Sequence, residues 1–160
     1  MRVKFWGVVE ALSAESKDPK RKVGAILINA DNDIISTGYN GFPRGIKDDD
    51  RLVNPETKLK YVMHAEQNTI SNAARVGVST KGTIMLVNLF PCLQCAKAII
   101  QAGVVAVYAP NTPANEPFSK WAAGAEESIA LLEEAGVRVF FVEQRILPRA
   151  KATPSQPVVV

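Results

Sequence analysis

One histidine, one glutamate and two cysteines carry the most distinctive chemistry this sequence can do. His64 and Glu66 stand two apart in His64-Ala65-Glu66, and Cys92 and Cys95 stand three apart in Pro91-Cys92-Leu93-Gln94-Cys95. Two thiolates and an imidazole suit tetrahedral zinc and leave its fourth position for water. Three protein ligands with one open position mark a catalytic ion. A structural site takes a fourth residue, and the chain has no other Cys or His to give. A carboxylate is the poorer fourth choice beside two thiolates. Glu66 is close enough to reach a metal-bound water without binding the metal, the place where a carboxylate moves protons. Taken singly, each piece has a blander reading. A lone His is more often a packed or surface residue, and a lone C-x-x-C also suits a redox pair, although thioredoxin-type motifs follow a different strand pattern.

These side chains can meet only if two helices begin at the same place. The pattern predicts helices over His64–Arg75 and Cys92–Ala102, each following a loop or a strand end. A helix N-terminus carries partial positive charge and unpaired N–H groups, which lower thiol pKa values. Cys92 and Cys95 then share one face of a first turn, and Pro91 suits a helix start because its missing N–H is not needed there.

Around these helices, Val3–Ala14 has helical apolar spacing, and Val23–Asn29 and Ile34–Tyr39 read as two strands of a hairpin. Asn40 to about Val62, rich in Gly, Pro and Asp, reads as a long irregular loop of functional kind. Strands are expected at Thr83–Asn88, Val104–Ala109 and Val137–Val142. A helix is expected over Lys120–Ala135, stopped by Gly136. The order predicts an α/β fold: a three-layer α/β/α sandwich around a central mixed five-stranded sheet, mostly parallel, with helices on both faces. Residues 1–147 are expected to form one domain, and residues 148–160 a flexible tail or an assembly segment.

Composition is ordinary for a globular chain of 160 residues, with 47% hydrophobic and 22% charged residues. The net charge of +3 suits a small anionic ligand. It is far from the basic stripe of a nucleic-acid binder, and no nucleic-acid partner is expected. No apolar run approaches the ~20 residues of a membrane helix, and Met1–Glu10 lacks the apolar core of a signal peptide. A cytoplasmic location without a membrane partner is expected.

The order H-x-E…P-C-x-x-C is the signature of zinc deaminases. Further stretches resemble the deoxycytidylate (dCMP) deaminase family: Ser16-Lys17-Asp18-Pro19, Val23-Gly24-Ala25, Gly38-Tyr39-Asn40-Gly41-Phe42-Pro43-Arg44-Gly45, Leu89-Phe90-Pro91-Cys92, Ile99-Ile100-Gln101-Ala102-Gly103 and Glu134-Ala135-Gly136-Val137. The resemblance runs from about residue 3 to residue 142. It implies a cytidine-deaminase-like fold, one zinc per subunit, hydrolysis of dCMP to dUMP and a homo-oligomer. It implies further that Asn40 holds the sugar, that Val23, Ala65 and Phe90 lie beside the base, and that Ser16, Lys17 and Arg21 lie near the 5′-phosphate. Some family members answer to dCTP and dTTP through the glycine-rich loop. Gly41, Phe42, Arg44, Gly45 and Asp49 stand where that site would be, or else only shape the active site or an interface.

Asn111 to Phe118 departs from the family pattern and, with Lys120 and Trp121, is expected to close over the ligand or to pack at a subunit contact. Other substrates of zinc deaminases stand beside the dCMP reading: a modified cytosine nucleotide, cytidine or cytosine, or tRNA adenosine. A non-catalytic zinc module that binds nucleotides is the reading from a different class.

Overall fold

The computed structural model describes residues 3–110 and 119–142. After a 3-10 turn at Val3–Phe5 come α1 (Trp6–Ala14), β1 (Gly24–Ile28), β2 (Ile34–Tyr39), α2 (Pro55–Tyr61), α3 (Ala65–Arg75), β3 (Ile84–Val87), α4 (Leu93–Gln101), β4 (Ala106–Pro110), α5 (Ser119–Glu134) and β5 (Arg138–Val142). The strands form one sheet in the order β2-β1-β3-β4-β5.

That sheet is evenly mixed rather than mostly parallel. β1 is antiparallel to both β2 and β3, while β3–β4 and β4–β5 are parallel. The reason is topological. The hairpin places β2 on one side of β1, and the crossover through α3 brings β3 back on the other side, antiparallel to β1.

β1 and β3 are buried on both faces, and their side chains divide by the alternation of a strand. Ala25, Leu27, Met85 and Val87 pack with Ala65, Ala96, Ile99 and Leu132, under α3, α4 and α5. Ile26, Ile28, Ile84 and Leu86 pack with Val9 of α1, Phe5 and Leu12. Each fully buried aliphatic side chain contributes roughly 1.5–3 kcal/mol. Both cores are therefore needed, and they fix α1 on one face of the sheet and the three other long helices on the opposite face.

Two strand glycines set how closely the helices approach. A Cβ on Gly24 would lie 2.4 Å from the Val9 carbonyl oxygen in α1, and a Cβ on Gly38 would lie 2.6 Å from the Thr69 backbone nitrogen in α3. The edge strand β2 is bound to α3 by the amides of Asn68 and Asn72, which donate to the carbonyls of Tyr39 and Thr37 at 2.8 and 2.7 Å.

The segment Asn40–Val62 is not the irregular loop its composition suggests. It holds a 3-10 turn at Asp50–Leu52, capped by Asp49, and the helix α2. Asn54 caps α2 by accepting from the N–H groups of Glu56 and Thr57, with Pro55 as the first helical residue. The two ends of the segment are tied by reciprocal hydrogen bonds between Gly41 and Met63, at 3.1 and 2.8 Å. Residues 111–118 and the tail 148–160 lie outside the described residues. Among the described residues, no helix is long and apolar enough to cross a membrane.

Gly38→Ala is expected to destabilise the fold by about 1–3 kcal/mol, because the Thr69 backbone cannot yield without moving α3. Gly7→Ala, where nothing lies within 4 Å of the added Cβ, should be neutral or stabilise by up to about 1 kcal/mol through helix propensity. Urea unfolding midpoints of the two variants check both expectations.

Candidate active site

His64 is the N-cap of α3 and Cys92 the N-cap of α4. The two helix starts converge. His64 Nδ1 lies 3.5 Å from Cys92 Sγ and 3.3 Å from Cys95 Sγ, and the three donor atoms all lie within 4.8 Å of one another. Zinc–sulfur bonds of ~2.3 Å and zinc–nitrogen bonds of ~2.0–2.1 Å at tetrahedral angles would separate nitrogen from sulfur by about 3.5 Å. The trio therefore fits a zinc ion as it stands, and among the described residues it is the one group of His, Cys, Asp and Glu with such spacing.

Without a metal, the cluster shares protons. The hydrogen bond from Cys95, together with that from His64, pulls the Cys92 thiol down to about 4 against the opposing effect of burial. Cys95 is pushed up, because it donates to Cys92 and is buried. The Cys92 sulfur also raises the His64 imidazole.

Glu66, in the first turn of α3, is only 4% exposed. Burial raises its carboxyl to about 7, although its own backbone N–H and the neighbouring His64 favour the charged form. The side chain faces a cavity of about 210 Å³, whose wall includes His64, Ala65, Val23, Asn40, Phe90 and Arg21. Phe90 and Val23 supply apolar wall, and Ala65 is fully buried.

The Asn40 carboxamide is held on both sides. Its Oδ1 accepts from Val23 N–H at 2.8 Å, and its Nδ2 donates to Arg21 O at 2.9 Å and to Asp18 Oδ2 at 3.3 Å. Not every residue assigned to a phosphate site reaches this cavity. The Ser16 hydroxyl is buried and donates to Asn40 O at 2.8 Å, and Lys17 turns outward to an ion pair with Asp48 at 2.8 Å. Arg21 is on the wall, and so are Asp18, Lys20 and Lys58, which spacing alone did not single out. The Asn54-Pro55 helix start was the available signal that Lys58 sits on a helix. Nothing local pairs it with Asp18.

Gly41, Phe42 and Arg44 border a second cavity, of about 230 Å³, together with Tyr39, Asn68 and Asn72. Gly45 has φ +81°, a conformation that favours glycine. Neither Gly45 nor Asp49 is among the residues that line this cavity. The Asp49 carboxylate caps the 3-10 turn and pairs with Arg51 at 2.8 Å.

Residues 4–110, more than half of the chain, match the family described as the cytidine and deoxycytidylate deaminase zinc-binding region. The chain belongs to that family. Human deoxycytidylate deaminase is 46% identical over 110 residues, covering 62% of this chain and 59% of the human one. The chain thus spans about three fifths of the length of that relative. A deaminase of Aliivibrio fischeri is 37% identical over 145 residues, covering 90% of this chain and 95% of its own. The crystal structure of the dCMP deaminase from cyanophage S-TIM5, in complex with dCMP and dUMP, superposes with a TM-score of 0.69 at 29% identity. It covers 88% of this chain and 96% of the phage chain. A deaminase/reductase from Thermotoga maritima, at 20% identity and a TM-score of 0.62, shares the fold.

In the metal-free protein, Cys92 should alkylate with iodoacetamide well before Cys95, since the thiolate is the nucleophile and Cys95 is buried. Zinc should protect both. Mass-spectrometric mapping of the modified cysteines against time, with and without zinc, checks this order.

Proposed function

We propose that this chain hydrolyses dCMP to dUMP and ammonia, with one zinc ion held by His64, Cys92 and Cys95, and Glu66 as the proton shuttle. The observation that carries the reading is the meeting of His64 Nδ1 with both sulfurs at tetrahedral edge lengths, beside a buried carboxyl that opens on a nucleobase-sized cavity. The names of the human and phage relatives support the cytosine nucleotide as substrate.

A zinc ion held by these donors would make a water molecule acidic enough to attack at neutral pH. Glu66 takes the proton of that water and passes it to N3 of the ring, which makes C4 the point of attack. As the C4–N bond breaks, Glu66 takes the proton of the hydroxyl now on C4 and delivers it to the departing amino group, leaving ammonia and a carbonyl at C4. A carboxyl lifted toward neutrality by burial suits both halves of this transfer. Phe90 and Val23 confine the ring, and the Ala65 backbone borders it. Asn40 Oδ1 spends one lone pair on Val23 N–H and keeps the other for a sugar hydroxyl, so Asn40 meets the sugar as an acceptor.

We infer also that the enzyme works in the cytoplasm as a homo-oligomer and answers to dCTP and dTTP through Gly41, Phe42, Arg44 and Gly45. The second cavity beside that loop supports the effector site. The exposed apolar side chains of Tyr39, Ile46, Val53 and Tyr61 support a subunit contact.

The test is ammonia release by zinc-loaded protein with dCMP, CMP, deoxycytidine and 5-substituted dCMP, each with and without dCTP. dCMP should turn over fastest. Glu66→Ala should keep its zinc and lose at least ~10²-fold in kcat, whereas His64→Ala and Cys92→Ala should lose the metal. Near-normal turnover by Glu66→Ala would overturn the mechanism, and turnover of another base in place of cytosine would overturn the substrate.

A further inference from the structure

The wall of the active-site cavity carries three cations, Lys20, Arg21 and Lys58, and the proton transfers described above use none of them. Lys58 is brought to the wall by α2. Its Nζ lies 2.5 Å from Asp18 Oδ2, with the two side chains 16% and 1% exposed.

Asp18 is a saturated acceptor. Its Oδ1 takes the backbone N–H groups of Lys20 and Arg21 at 2.9 and 3.0 Å, and its Oδ2 takes Asn40 Nδ2 and Lys58 Nζ. A carboxylate offers about four lone-pair sites, and all are spent within the protein. Burial pushes this carboxyl up, but Lys58 and the two amides outweigh it and hold Asp18 ionised. Asp18 therefore anchors its neighbours and has nothing left for a ligand.

Lys58 is the converse. An ammonium has three N–H donors, and Asp18 takes one. The wall thus combines the three positive charges of Lys20, Arg21 and Lys58 with two carboxyls, Asp18 and Glu66, and keeps a net positive charge. That surplus has the sign a phosphomonoester calls for, since the group carries about −1.5 to −2 at neutral pH. Ser16 and Lys17 do not compete for the role, one being spent on Asn40 and the other on Asp48.

We propose that Lys58, set in place by Asp18, recognises the 5′-phosphate of the substrate and is the residue by which this enzyme separates a nucleoside monophosphate from its nucleoside. The proposal rests on the dCMP reading above. α2 is then part of the binding site, its helix start at Asn54-Pro55 serving to aim the Lys58 ammonium at the cavity.

The experiment compares kcat and KM for dCMP and for deoxycytidine in the zinc-loaded wild type, Lys58→Met and Lys58→Arg, with inhibition by deoxyribose 5-phosphate as a binding readout. Methionine keeps the apolar stem and removes the charge. In Lys58→Met the ratio of kcat/KM for dCMP to that for deoxycytidine should fall about 10- to 100-fold, the range for losing a hydrogen bond to a charged group. The fall should come through KM, and deoxyribose 5-phosphate should inhibit correspondingly less. Lys58→Arg should restore most of the ratio. If Lys58→Met does not fold, Lys58→Gln, which keeps a donor for Asp18 without the charge, makes the same comparison. A variant that loses activity on both substrates equally, or keeps the wild-type ratio, overturns the proposal and leaves the dCMP reading standing. A wild type that shows no preference for dCMP overturns the dCMP reading, and this proposal with it.

Discussion

Three donor atoms from two helix starts must sit within a zinc ion's reach before any ion arrives, and the rest of the fold serves that constraint. α3 is held by the close approach at Gly38 and by Asn68 and Asn72 on the edge strand, while the Gly41–Met63 pairing fixes the residue before His64. On the other side, Asn88 ties the end of β3 to β1 by accepting from Gly24 N–H at 2.9 Å. The short run Leu89 to Pro91 then leads straight to Cys92. Phe90, Ala65 and Cys95 are themselves core residues. The metal site is therefore built on packed elements rather than on loops, which is what a ligand geometry set to within a few tenths of an ångström requires.

The same cavity holds two buried carboxyls in opposite environments. Glu66 is desolvated with little to offset it and is lifted to about 7, whereas Asp18 is as deeply buried but surrounded by four donors and held ionised. Groups whose environments push their pKa values apart divide the work between them. Glu66 can exchange protons near neutral pH. Asp18 cannot, and acts by position: it orients the Asn40 carboxamide, the turn at Lys20 and Arg21, and the ammonium of Lys58.

The layers of the fold were legible because two signals agree in the sequence. The apolar runs of β1 and β3 announce strands buried on both faces, and the helical spacing of α3 and α4 announces their cover. What remained hidden was strand direction. An all-apolar strand looks the same in a parallel and an antiparallel pairing, so the antiparallel β1–β3 contact had to come from topology. α2 was hidden differently. Its Asn cap and first-turn proline are visible, but they lie among glycines, prolines and aspartates whose joint composition reads as loop.

The two halves of the site differ in the range of the interactions that make them. The residues proposed for metal binding and proton transfer carry their spacing within single helix starts: two cysteines three apart, and a glutamate two beyond a histidine. Such spacings survive in the sequence as a motif, so the chemistry can be read before the fold is known. The proposed substrate side is made by pairs far apart in the chain, Asp18 with Lys58 and Asn40 with Val23 and Arg21. No spacing rule encodes them, and neighbouring residues of the right type, Ser16 and Lys17, turn out to be engaged elsewhere. Reaction type is accordingly a local property of this chain and substrate choice a tertiary one. On the proposed function, a change in α2 alters the substrate accepted while leaving the His-Glu and Cys-Cys motif untouched.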